Sequence, residues 1–312
     1  MVFSPARDHG STIPGSFHIA GYLAWDVFWL GALAGAVLVY GRAWRQARLA
    51  GPRMAHPLWK LVLFNAGLLA VAGGVLSPLS HLGDEVLWIN FAGFLLITMV
   101  GAPLLLLGSP LTLAFKVSAR QGRTRLRRLY RSWPVVAVTF PVASWLAFAV
   151  LTYAWQFTRL TDLAAEHRLL REVQQVSLLG VALCFWMPAL AADPLRWRMA
   201  HPLRALYVVV EMTHKGLFGG MFLSMAHPFH AGFASRLPSW TGLTPMGDQR
   251  FAILVLWLGG NVIFVAALGG IVVRWVQYER RNAHRTDWHL SLVREARKRR
   301  QAALDQVFTK GV

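Results

Sequence analysis

Seven long apolar runs divide this sequence, at roughly 20 to 41, 58 to 77, 87 to 108, 134 to 155, 173 to 191, 203 to 226 and 251 to 275. A helix rising 1.5 Å per residue needs about 20 residues to cross a hydrocarbon core of about 30 Å, and each run meets or nearly meets that length. Helices are the only backbone that fits. Irregular chain or an open sheet would leave peptide groups unpaired in lipid, and a barrel would show short alternating strands. The sequence therefore predicts an all-α, polytopic membrane protein, a seven-transmembrane-helix bundle. Composition points the same way: 55% of the 312 residues are hydrophobic and 15% charged, more apolar than a soluble domain requires. The partner expected for most of the surface is the lipid bilayer.

A net charge of +18 raises the question of nucleic acid, but the cations sit between the apolar runs. Twenty-five of the 32 Lys and Arg follow the first, third, fifth and seventh runs, and six fall on the opposite side. By the positive-inside rule the N-terminus is expected outside the cytoplasm and the C-terminus inside. The charge is read as topogenic, and no nucleic-acid partner is expected. Residues 1–19 lack the basic and apolar segments of a signal peptide and read as an external tail. With no internal repeat, residues 20–278 read as one membrane domain. Residues 279–312 read as a basic, helical cytoplasmic tail, with Leu290, Val293, Ala296, Leu304 and Val307 near helical spacing. That tail lies either against anionic headgroups or free in solvent. The single cysteine, Cys184, allows neither an internal disulfide nor a CxxC metal site.

Ionisable groups inside a span are expensive, so they mark candidate sites. The sixth run holds Glu211, His214 and Lys215. Glu211 and Lys215 are four apart and share a helical face, where they can neutralise each other. This polar cluster is either an ion pair that locks helices or the centre of a proton path or transporter. His214 is the one imidazole that the pattern places deep in a span, which disfavours a haem held by two histidines. At the expected outer end of the same run stand Met221, Met225, His227 and His230, thioethers and imidazoles of the kind that suit copper as Cu(I). Ordinary packing is the other reading of that set. His81, Asp84, Glu85 and His167 in the outer loops could add ligands if the loops converge. Asp26, Asn90, Gln174 and Gln175 lie near the outer face and are expected to form hydrogen bonds between helices. No nucleophile elbow, phosphate loop or HExxH pattern occurs, so an enzyme is not expected.

Four stretches carry a resemblance: Ser77-Pro78 with Val100 to Leu111, Phe185 to Leu190, Leu203 to Tyr207, and Gly242 to Gly260, which includes Asp248, Gln249 and Trp257. In these the chain resembles the CtaG-like family of cytochrome c oxidase assembly proteins, over about residues 58 to 275. The resemblance implies a seven-helix protein of the bacterial inner membrane that aids oxidase biogenesis and is associated with copper delivery. Its partner would be a respiratory oxidase subunit or another assembly factor. The family's paired histidines of the third helix fall here on Asn90 and Phe94, a histidine of the fifth on Gln175, and a methionine of the seventh on Leu256. Amides are poor Cu(I) ligands and Phe and Leu are none. Copper would then sit on Met221, Met225, His227 and His230, or the protein would act as a metal-free structural scaffold.

Overall fold

The computed structural model describes the backbone of residues 16–309 except 77 and 195. It describes the side chains of residues 25–282 except 77–79 and 195, together with Glu295 and Arg297. The described residues are helical and contain no strand. Residues 1–15 of the expected outer tail and the side chains named above for the basic tail lie outside the described residues, while the backbone of residues 16–19 already belongs to the first helix.

Helix α1 (Ser16–Leu49) runs beside α2 (Leu58–Val75). After the short α3 (Pro78–Leu82), α4 (Leu87–Leu95) passes through a π turn at Leu96–Gly101 into α5 (Ala102–Leu107) and then α6 (Pro110–Val117). The cation-rich α7 (Arg120–Tyr130), α8 (Trp133–Val138), α9 (Pro141–Gln156) and α10 (Leu160–Glu166) lead to α11 (Arg168–Leu190). Helix α12 (His201–Leu223), the short α13 (Ala231–Arg236) and α14 (Pro245–Leu254) follow. A second π turn at Val255–Gly259 joins α14 to α15 (Gly260–Thr309). Proline opens α6, α8, α9, α12 and α14 at their first or second position, where no intrahelical N–H bond is lost.

Five of these segments are long and apolar enough to cross a membrane by length and composition: Trp25–Leu49, Leu58–Val75, Leu87–Val117, Arg168–Leu190 and Pro245–Asn282. They coincide with five of the seven runs. The fourth run is split, because Pro141 begins a new helix after the turn at Thr139 and Phe140, which leaves 16 residues in α9. The sixth is long enough at 23 residues, but α12 carries Arg204, Glu211 and Lys215. Many large side chains, such as Val39, Leu69, Val150, Leu217 and Val262, are exposed, as a lipid-facing surface requires.

The main core lies among α4, α5, α9, α11, α12, α14 and α15 and is filled by Phe91, Phe148, Phe185, Trp186 and Phe264. Helix α2 meets the α4–α5 segment through glycine. A Cβ on Gly67 would lie 2.7 Å from the Leu105 backbone nitrogen, and one on Gly74 would lie 2.9 Å from the Gly93 carbonyl oxygen. Helices in lipid gain their packing energy from such close approach.

Candidate functional site

Helix α11 begins at Arg168, five residues before the apolar run does, so Arg171 and Glu172 enter the bundle. They build a polar network at one end of the bundle. Arg168 bridges Asp26 of α1 at 3.2 Å and Glu172 at 2.7 Å, and Trp29 Nε1 donates to the other Glu172 oxygen. Arg171 pairs with Asp84 and donates to the Ser80 carbonyl. Asp84 is therefore the partner of a guanidinium, while His81 and His167 are exposed. Sequence reading missed Arg171, Glu172 and Gln156, because it placed the first two in a loop and Gln156 just past the end of a run.

Beneath this network lies a small polar cavity. Asn90 and Phe94 of α4, Gln156 of α9 and Arg171, Gln174 and Gln175 of α11 line it. It offers about 30 Å³ for the centres of water molecules, room for about two at roughly 10 to 15 Å³ each. Both amide atoms of Gln156, Nε2 of Gln174 and Oε1 of Gln175 are buried with no hydrogen-bond partner among the described residues. Buried amides in that state call for water or a small polar guest. Of the four polar side chains expected to bond between helices, Asp26 does so. Asn90 instead donates to the Gly83 carbonyl just before its own helix, at 3.0 Å.

The second cluster is next to the first. Lys215 Nζ lies 3.8 Å from Glu211 and His214 Nδ1 lies 3.6 Å from the same carboxylate. The ammonium faces the rings of Phe148 at 4.9 Å, Phe264 at 5.2 Å and Phe94 at 5.8 Å, within cation–π range. Phe94 thus borders both polar regions. His214 meets the Tyr153 hydroxyl at 3.3 Å but remains 22% exposed, so it is not the deepest imidazole. His56 and His230, each 3% exposed, are.

The Met and His set is divided between environments. Met221 and His227 are exposed and Met225 is half-buried. His230 turns inward: Nε2 meets the Gln156 carbonyl at 3.1 Å and Nδ1 faces Asp162 at 3.7 Å. Among the described residues no group of three or more His, Cys, Asp or Glu side chains converges as a metal site.

At the other end of the bundle, Asp193 holds the start of α6. It accepts from Thr112 N at 2.8 Å and Thr112 Oγ1 at 2.6 Å. Nearby, Lys60 donates to Ser109 Oγ at 2.9 Å and His56 Nε2 to the Gly108 carbonyl at 3.0 Å. Burial, with Lys60 and Lys116 close by, holds the His56 pKa below its ordinary value despite the opposing pull of the Gly108 bond.

Residues 38–278 match the family described as "Cytochrome c oxidase caa3 assembly factor (Caa3_CtaG)". The chain belongs to the cytochrome c oxidase caa3 assembly factor family. Uncharacterized proteins of Mycobacterium bovis and Mycobacterium tuberculosis are each 24% identical to it over 265 residues, covering 82% of this chain and 40% of theirs. One of Mycobacterium leprae is 23% identical over 242 residues, covering 75% of this chain and 36% of its own length. The chain thus spans about two fifths of the length of these relatives. No solved structure matches it significantly. Asn90, Phe94 and Gln175, three of the positions onto which the resemblance would place metal ligands, line one cavity. Their donor set does not fit Cu(I), which prefers thioether, thiolate or imidazole.

Proposed function

We propose that this protein serves cytochrome c oxidase biogenesis as a scaffold of the bacterial inner membrane, with its own outer cavity free of copper. The observation that supports this is the amide and phenyl lining at Asn90, Phe94 and Gln175 within a chain of the oxidase assembly family. The lipid-facing helices would hold an oxidase subunit or another assembly factor by packing.

The proposal includes seven crossings, with α9 and its α8 extension as the fourth and α12 as the sixth, and with the N-terminus outside and the C-terminus cytoplasmic. Its support is the 25 to 6 bias of Lys and Arg between alternate connections. One membrane domain over residues 20–278 would carry an outer tail at 1–19 and a basic cytoplasmic tail at 279–312. A tag near Arg125 should react in intact cells only after the membrane is opened.

A second reading keeps copper as cargo, taken up on Met221, Met225, His227 and His230. It is favoured by the accessibility of Met221 and His227 where α12 ends, and it requires His230 to leave Gln156 and Asp162. Copper analysis of the detergent-purified protein after Cu(I) loading separates the two. The scaffold reading expects no stoichiometric copper in the wild type, together with low oxidase activity in cells lacking the gene. Tight copper that is lost from a His227→Ala, His230→Ala double variant would establish the cargo reading. Normal oxidase activity in the deleted strain would reject both.

A further inference from the structure

A large cavity of the bundle lies away from the polar site. It is a groove of about 360 Å³, by the same measure as the amide cavity, between the π turn and α5 on one side and α11, α12 and α15 on the other. Met99, Leu104, Leu107, Ile263 and Ile271 make its walls apolar, and Gly270 opens its floor, since a Cβ there would have no heavy atom within 4 Å. At its rim stand His201, Arg204 and Arg274. Arg204 Nε donates to the Met199 carbonyl at 3.0 Å and Arg274 to the Leu190 carbonyl at 3.2 Å. Among the described residues no acidic side chain lines the groove. Glu279, whose charge reaches His201, accepts from Trp275 of its own helix.

An apolar trough with two guanidiniums at its mouth asks for a guest that is hydrocarbon for most of its length and anionic at one end. We propose that the groove binds an anionic phospholipid, with one acyl chain along Met99, Leu104, Ile263 and Gly270 and the phosphate at Arg204 and Arg274. Basic pockets between transmembrane helices bind anionic headgroups by this chemistry, with guanidinium forks matching phosphate oxygens. The volume falls in the range of small-molecule pockets. Three stretches that carry the family resemblance meet here, through Val100 to Leu107, Trp186 with Leu190, and Arg204. The inference is independent of the oxidase role, since a lipid would fit the groove whatever the protein assembles.

The test measures binding to the full chain in neutral detergent, by native mass spectrometry and thermal unfolding. The probes are phosphatidylglycerol, phosphatidylcholine with the same chains, and inorganic phosphate. Phosphatidylglycerol should bind at one per chain, at least tenfold more tightly than phosphatidylcholine, and raise Tm by several degrees. An Arg204→Gln, Arg274→Gln double variant should lose the preference for the anionic lipid. Gly270→Leu, which fills the floor and keeps both cations, should weaken phosphatidylglycerol binding at least tenfold. If the double variant fails to fold, Gly270→Leu alone decides. Equal binding of the two lipids by the wild type would overturn the proposal. So would full reproduction of the effect by inorganic phosphate, or unchanged lipid binding in Gly270→Leu.

Discussion

Asp248 on α14 holds the start of α4, 161 positions earlier in the chain. Its Oδ2 accepts the Leu87 backbone N–H at 2.9 Å and its Oδ1 accepts that of Trp88 at 3.2 Å. These are two of the four N–H groups that a helix cannot satisfy for itself. Asp193 does the same for Leu111 and Thr112 at the start of α6. Each carboxylate caps a helix and ties its start to a distant part of the chain, Asp248 from another helix and Asp193 from the segment after α11.

Asp248→Ala should therefore lower stability in detergent by roughly 1 to 2 kcal/mol, the usual loss for a helix cap. Asp248→Asn, which keeps an acceptor, should lose less. Thermal unfolding of the two variants beside the wild type checks the order, and an Asn variant as unstable as Ala would refute the capping role.

Gly67 leaves no room for a side chain against α5. Gly67→Ala should push α2 from the Leu105 backbone and destabilise the bundle by about 1 to 3 kcal/mol, as overpacking does. Gly180→Ala, at a position with open space around it, is the control and should change little.

Glu211 and Lys215 are buried together, and breaking one side strands the other. Glu211→Gln should lower stability by about 3 to 5 kcal/mol, and a Glu211→Gln, Lys215→Met double variant should recover much of it. Should the cluster instead be a transport centre, Glu211→Gln would abolish solute or proton flux into vesicles. Unchanged flux in a folded variant would leave the ion pair as a structural lock.

His56 predicts a pH dependence. Its folded pKa lies below the ordinary value, so the unfolded chain binds a proton first as pH falls. Stability should therefore decline as pH drops through about 6.5, the ordinary His value, and level off below the lowered folded value. In His56→Gln, which can still donate to the Gly108 carbonyl, that part of the decline should vanish. A Tm series from pH 8 to pH 5 on both proteins reads the difference.

The apolar runs made the helical class legible, because hydrocarbon length is a local property that consecutive residues carry. The Glu211–Lys215 pairing was also legible, since four residues set two side chains on one helical face. The beginning of α11 was not. Arg168 to Glu172 look like loop residues until Asp26, Trp29, Ser80 and Asp84 are set around them. His214 looked deeper than His230 because hydropathy measures depth along a span and says nothing of rotation about its axis. His230, just beyond a run, is nevertheless sealed by Gln156 and Asp162.

The sequence by itself determined that the chain is helical, that its surface is made for lipid, and that its cations crowd alternate connections. Each follows from residue type and spacing along one strand of polymer. Tertiary structure alone decided that Asn90, Phe94, Gln156, Gln174 and Gln175 share one cavity, and that Arg204 and Arg274 stand over one groove. These meetings depend on how far each helix slides and turns against its neighbours. Glycine contacts and the caps of Asp193 and Asp248 set that register, and they act between residues tens to more than a hundred positions apart.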